Sequence, residues 1–190
     1  MEKKYKIIYA DPPWKYGDKM LSNKISEKKV YYPIEKNYPT LKLSEICQLP
    51  VKHIVAEDAA LFIWTTDSHI PEALKVIEAW GFEYKTVGFY WLKKEKSGKQ
   101  VFQMGRWTVK SGEMCLMATR GKMMKYLKKR NIHQLTEAKR DRKKHSGKPQ
   151  EVREKIVDMF GDLKRIELFS REKVEGWDVW GNEVESDIKL

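Results

Sequence analysis

The chain has 190 residues, 41% of them hydrophobic, with seven Trp, nine Tyr and six Phe; it is long and aromatic enough for one folded domain spanning residues 1–190 and not for a disordered segment. A net charge of +11 is unusual for an enzyme of small anionic metabolites and favours a polyanionic partner, nucleic acid before an anionic membrane surface, over a merely solvated basic face. Two distant cysteines (Cys47, Cys115), four unpaired histidines (His53, His69, His133, His145), no membrane-length apolar run and no signal-peptide core argue against a bound metal, a redox pair or export, and for a cytoplasmic protein.

Residues 5–10 (Tyr-Lys-Ile-Ile-Tyr-Ala) read as a buried strand that ends in Asp11-Pro12-Pro13-Trp14. In a parallel sheet, ligands bind at the carboxyl ends of strands. The prolines fix φ and remove two donors, so the carbonyls of Asp11 and Pro12 sit on a stiff turn beside a carboxylate and an indole. Such acceptors suit an exocyclic amino group, with Trp14 covering a heterocycle. The competing reading is a structural Pro-Pro turn with Trp14 in the core. Residues 15–42 are polar and Tyr-rich and suggest a substrate-side loop.

A short helix is expected at 44–49, then the clearest buried strand, 59–66. Asp67 or Ser68 is expected to cap a helix with Pro71 in its first turn, ending at Trp80-Gly81. Residues 82–92 read as a strand, 93–99 as a charged loop and 114–119 as a further strand. From 122 to 148 eleven Lys or Arg face only Glu137 and Asp141. Its first part, 122–130, looks helical with Met123, Met124 and Leu127 inward; 139–147 looks like an exposed basic loop. A helix from Pro149 to Phe160 carries Val152, Ile156, Val157 and Phe160 at core spacing and stops at Gly161. A last strand, 165–169, precedes a Trp-rich tail. The alternation predicts an α/β sheet with helices on both faces. No G-x-G-x-x-G or P-loop pattern occurs, which speaks against nicotinamide enzymes and P-loop ATPases.

Several segments, taken in order, resemble the MT-A70 family of adenine N6-methyltransferases. They are Asp11–Trp14; Leu61-Phe62-Ile63-Trp64-Thr65; Trp80-Gly81-Phe82 with Trp91-Leu92-Lys93; Gly105-Arg106-Trp107 with Glu113-Met114-Cys115-Leu116 and Arg120-Gly121; His145-Ser146-Gly147-Lys148-Pro149; Glu167-Leu168-Phe169-Ser170-Arg171; and Trp177 with Gly181-Asn182-Glu183. The resemblance implies a Rossmann-like methyltransferase sheet, mostly parallel with one reversed strand, and S-adenosylmethionine as methyl donor.

Residue by residue, it implies that Asp11, Pro12, Pro13 and Trp14 form the catalytic group. The N6–H of adenine would donate to the Asp11 carboxylate and the Pro12 carbonyl, making a poor nucleophile more electron-rich. Direct displacement on the sulfonium methyl then needs no metal. Cofactor contacts are expected from Ala10, Asp11, Lys148, Arg171, Asn182 and Glu183, and base or nucleic-acid contacts from Trp14, Tyr38 and Arg106. The plainer alternatives are a surface ion pair for Arg171 and Glu183 and a turn cap for Asn182. Where relatives carry a His-Asn pair after the arginine, this chain has Glu172-Lys173, and Lys173 is the candidate substitute. The segment upstream of Asp11 in larger members is expected to be absent.

The compact basic chain resembles the bacterial and phage enzymes, which favours DNA over RNA. A duplex adenine must leave the stack. The 122–148 stretch, the 15–42 loop and Arg106 are candidates for phosphate contacts. No separate target-recognition domain fits, so the site read should be short, or a second copy or related subunit should assist. RNA adenine methylation and a catalytically inactive nucleic-acid-binding subunit are the alternatives.

Overall fold

A computed structural model describes residues 4–15, 40–105, 107–140 and 147–190. In chain order its elements are β1 (Tyr5–Ala10), α1 (Leu43–Gln48), α2 (Val51–Ile54), β2 (Val55–Thr65), α3 (Ile70–Ala79), β3 (Glu83–Lys94), β4 (Gln103–Met104), β5 (Val109–Lys110), β6 (Gly112–Arg120), β7 (Leu135–Lys139), α4 (Gln150–Phe160), β8 (Arg165–Leu168) and β9 (Asp178–Trp180). Seven strands form one sheet in the order β7-β3-β6-β2-β1-β8-β9, and β4 and β5 form a separate hairpin. β6 runs antiparallel to both β2 and β3, whereas every other pairing in the large sheet is parallel. The fold is thus the expected Rossmann-like sheet with one reversed strand, and that strand lies inside the sheet.

Alternating side chains separate two apolar layers. Ile8, Ala10, Leu61, Ile63 and Ala118 face one side, where α1, α2 and α3 cover them with Ile46, Val51, Val76, Ile77 and Trp80. Ile7, Tyr9, Ala60, Phe62 and Trp64 face the other, under Val152, Ile156 and Phe160 of α4. Helices therefore lie on both faces. α3 buries Ala73, Val76 and Ile77, one face of a helical repeat, carries Pro71 in its first turn and stops just before Gly81, which takes a φ of +79°. Its N-cap is His69, after a 3-10 turn at Asp67–His69, so neither Asp67 nor Ser68 caps it as expected. α4 also buries Arg153, whose guanidinium meets Glu167 of β8 through two bonds of 2.7 and 2.9 Å. That bidentate pair lets an apolar helix face carry a charge into the interior.

Two further expectations need correction. Residues 122–130 are not a helix: only Met123–Tyr126 form a 3-10 turn, with Met123 buried and Met124 64% exposed. Lys93 and Lys94 belong to β3, not to a loop, because the Lys93 ammonium meets Glu113 on the neighbouring strand. The edge strands β7 and β9 and the β4–β5 hairpin were not anticipated. β7 is Leu-Thr-Glu-Ala-Lys with its Leu135 half-exposed, so it lacks the apolar run that marks an inner strand. The basic segment 141–146, with His145, lies outside the described residues. Among the described residues no helix is long and apolar enough to cross a membrane.

Candidate active site

Strand order reverses between β1 and β8, the place in an open α/β sheet where a crevice opens beyond the strand carboxyl ends. Asp11 follows β1 there, and its backbone N–H reaches the Leu168 carbonyl of β8 at 3.4 Å. The Pro12 carbonyl accepts the Trp14 N–H at 2.9 Å, and the Pro13 carbonyl accepts the Leu41 N–H at 3.0 Å. The turn is therefore tied on both sides, and each of its two carbonyl oxygens keeps a second lone pair. Trp14 is only 6% exposed: its indole N–H donates to the Trp64 carbonyl at 3.0 Å, and its ring stacks on His69 at 6.0 Å. Burial holds the His69 imidazole below its ordinary pKa. Trp14 is a fixed wall of the cavity and a member of the core at once, combining the two readings of the motif.

Behind Asp11 runs a line of alternating charges. Lys148 donates to Asp11 Oδ2 at 2.6 Å and lies 3.2 Å from Glu113 Oε2, while Lys93 Nζ contacts Glu113 Oε1. The side chains of Lys93, Glu113 and Lys148 are 11%, 13% and 5% exposed, whereas Asp11 keeps 26% toward the cavity. Desolvation pushes the Asp11 carboxyl above its usual range, against the pull of Lys148 and with a further push from Glu113. Burial disfavours the Lys148 ammonium, but Asp11 and Glu113 more than offset it and hold it charged. Glu113 resists burial in the same way, kept below its usual range by Lys148 and Lys93. The result is one partly exposed carboxylate backed by a fixed cation.

The cavity has a volume of about 480 Å³, within the range of nucleoside-sized ligand sites. Besides the Asp11–Trp14 turn, Glu113 and Lys148, it is lined by Trp64, Thr65 and Thr66 from the end of β2 and by Phe169, Ser170, Arg171, Trp180, Asn182 and Glu183. Phe169 leaves β8 with a φ of +62°, a left-handed conformation unfavourable for a residue with a side chain, and packs edge-on against Trp180 at 5.4 Å. The Ser170 N–H donates to the Trp180 carbonyl at 2.9 Å. At Gly181 a Cβ would fall 2.0 Å from the Ser170 carbonyl oxygen, so only glycine lets the two segments approach. That contact brings Asn182 and Glu183 to the cavity, where Glu183 lies 3.4 Å from Arg171 Nε.

Eight of the residues read from sequence therefore meet in one place: Asp11, Pro12, Pro13, Trp14, Lys148, Arg171, Asn182 and Glu183. Ala10 does not line the cavity and is wholly buried in the sheet core, since alternation turns it inward as Asp11 turns out. Lys173 pairs with Asp187 at 2.5 Å and is also not a lining residue. Tyr38 and Arg106 lie outside the described residues. Within 122–148, Lys125, Lys129 and Arg140 face Asp58, Asp158 and Glu95, which leaves less of that stretch for outside anions than its charge suggests. Sequence reasoning gave no role to Glu113 or Lys93. The available signal was an acid opening an apolar strand, and its partner is visible only through the β3–β6 pairing of Trp91 with Glu113.

The family model described as MT-A70 matches residues 5–183. Over 191 residues the chain is 41% identical to the Type II methyltransferase M.MunI of a Mycoplasma species, covering 96% of this chain and 78% of that one. It is 28% identical to the N(6)-adenine-specific methyltransferase METTL4 of Mus musculus and 24% identical to the N6-methyladenosine RNA methyltransferase MTA1 of Pyricularia oryzae. Those alignments cover 96% and 95% of this chain but only 38% and 47% of the two relatives. With the family model spanning nearly the whole chain and a relative at 41% identity along it, this chain belongs to the MT-A70 family of methyltransferases.

Proposed function

We propose that the chain methylates N6 of adenine in DNA, with S-adenosylmethionine as donor. The observation that carries the reading is the Asp11–Trp14 turn opening into a cavity whose other wall holds Arg171, Asn182 and Glu183. The lining chemistry fits the donor. Arg171 suits its carboxylate, Asn182 and Glu183 its ribose hydroxyls, the Phe169 ring its adenine, and the Asp11 and Glu113 carboxylates favour a neighbouring cation. Bound there, the donor supplies an electrophilic methyl group on a sulfonium sulfur.

This chain's own residues handle the acceptor. Lys148 occupies Asp11 Oδ2, which leaves Oδ1 for one N6–H, and the Pro12 carbonyl has a lone pair for the other. Both acceptors draw the nitrogen lone pair out of conjugation as the new N–C bond forms. After transfer the nitrogen carries an extra proton. Asp11, more basic than a surface carboxylate through desolvation, takes it or passes it to water. Trp14, anchored at both its N–H and its ring face, fixes the wall against which the base lies.

DNA is preferred on two grounds: the net charge of +11 suits a polyanion, and the relative at 41% identity is named a Type II methyltransferase, not an RNA enzyme. Asp11→Asn tests the mechanism, because it keeps the shape and removes the anionic acceptor. Methyl transfer should fall at least about 10²-fold, the loss typical of one preorganised electrostatic contact, while nucleic-acid affinity stays within about twofold. Unchanged turnover would refute the role given to Asp11.

A further inference from the structure

The β4–β5 hairpin carries the most exposed apolar group among the described residues. Phe102 is 70% exposed, Met104 79% and Trp107 90%, with Val109 beside them. Exposed clusters of this kind on a folded domain mark a contact surface. The hairpin is not loosely attached. Gln103 pairs with Lys110 and Met104 with Val109, and the Gly105 N–H closes the turn on the Thr108 carbonyl at 3.1 Å. At its root Val101 is buried and its N–H donates to the Lys93 carbonyl at 2.9 Å, while Lys110 lies 3.8 Å from Asp67.

Its position follows from the topology. β3 runs parallel to β7, β6 opposes β3 and β2, and so the β3–β6 connection leaves the sheet at the edge where β1 ends in Asp11. Lys110 is three residue steps from the cavity residue Glu113, a span of at most about 11 Å in extended chain. The hairpin thus leaves the same edge of the sheet as the cavity, and its Lys110 lies against Asp67, the residue after the cavity-lining Thr66. Residues 95–111 contain four basic residues and one acid, Glu95, which is engaged by Arg140. Even with Asp67 beside Lys110, this excess of basic residues disfavours a second copy of itself and suits a polyanion.

We propose that this hairpin is a base-stack wedge: Trp107, flanked by Phe102 and Met104, inserts at the step next to the target adenine and supports the duplex while that base occupies the cavity. Extrusion leaves a gap in the stack, and apolar side chains are the usual means of filling or prising one. The proposal rests on the nucleic-acid reading above and assigns a new part to residues that reading does not use.

Once the methylated site has been mapped, wild type and Trp107→Ala are compared on the paired duplex, the same strand alone, and a duplex with an abasic position opposite the target. Duplex transfer should fall about tenfold, the scale of losing one aromatic stack, and recover on the other two substrates. Trp107→Phe should restore most of it, and the thermal midpoint should not move. Equal losses on all three substrates, or none, overturn the wedge. A duplex loss accompanied by a change from dimer to monomer in sedimentation overturns it in favour of a second copy. Should wild type transfer methyl to no polymer, the functional reading fails separately. Duplex binding then decides: dependence on Trp107 supports the wedge, and independence overturns it.

Discussion

Asp11 is set by two neighbours pulling in opposite directions, and that makes its role measurable. Its carboxyl is raised by desolvation, lowered by Lys148 and raised again by Glu113. In the proposed mechanism transfer requires the carboxylate, so activity should fall with acid through an Asp11 pKa above the usual carboxylate range. Lys148→Met removes the stabilising cation, favours the protonated acid and should move the acid limb of the kcat profile to higher pH. Glu113→Gln removes a repelling charge and leaves Lys148 to Asp11 alone, so its limb should move to lower pH. Opposite displacements in the two pH–rate profiles are the expected result; a common direction would mean that Asp11 is not the group titrating. Gly181 shows a different residue-scale constraint, where a missing Cβ and not a charge brings Asn182 and Glu183 to the cavity.

At the scale of elements, α4 is held to the sheet by apolar packing and by one buried ion pair. Val152, Ile156 and Phe160 fill the layer over Phe62, and Arg153 reaches Glu167 with both side chains about 90% covered. Removing one partner leaves a buried charge alone, so Arg153→Met should cost about 3–5 kcal/mol in denaturant unfolding, whereas the double change to Met and Gln should recover part of it. Equal losses for single and double variants would contradict this. The elements legible in sequence were those marked by apolar residues: β1, β2, β3, β6 and β8 among the strands, and α1, α3 and α4 among the helices. The edge strands β7 and β9 escaped because an edge needs few apolar side chains, and the basic 122–130 run packs Met123, Tyr126 and Leu127 on the core from a single 3-10 turn that leaves Met124 exposed. In the site, Asp11–Trp14 was legible as a local motif. Glu113 and Lys93 stood in the resembling segments without a role, since their pairing comes from strand register.

For the molecule as a whole, charge and topology bear on one edge of the sheet. The strand ends deliver Asp11, Glu113 and Phe169 to one cavity, α4 follows directly after Lys148, and the β4–β5 hairpin projects at the same edge. Several basic side chains are paired with Asp58, Asp158, Glu95 and the Asp11–Glu113 pair; the net charge of +11 already counts those acids, so the pairs decide only where the unpaired excess lies. A polyanion is still the partner this surface suits. The most direct test supplies methyl-labelled S-adenosylmethionine with duplex DNA, single-stranded DNA and RNA in parallel, followed by digestion and identification of the labelled nucleoside. The account predicts label in DNA, all of it as N6-methyldeoxyadenosine. Label confined to RNA, on another base, or absent from every polymer would contradict it.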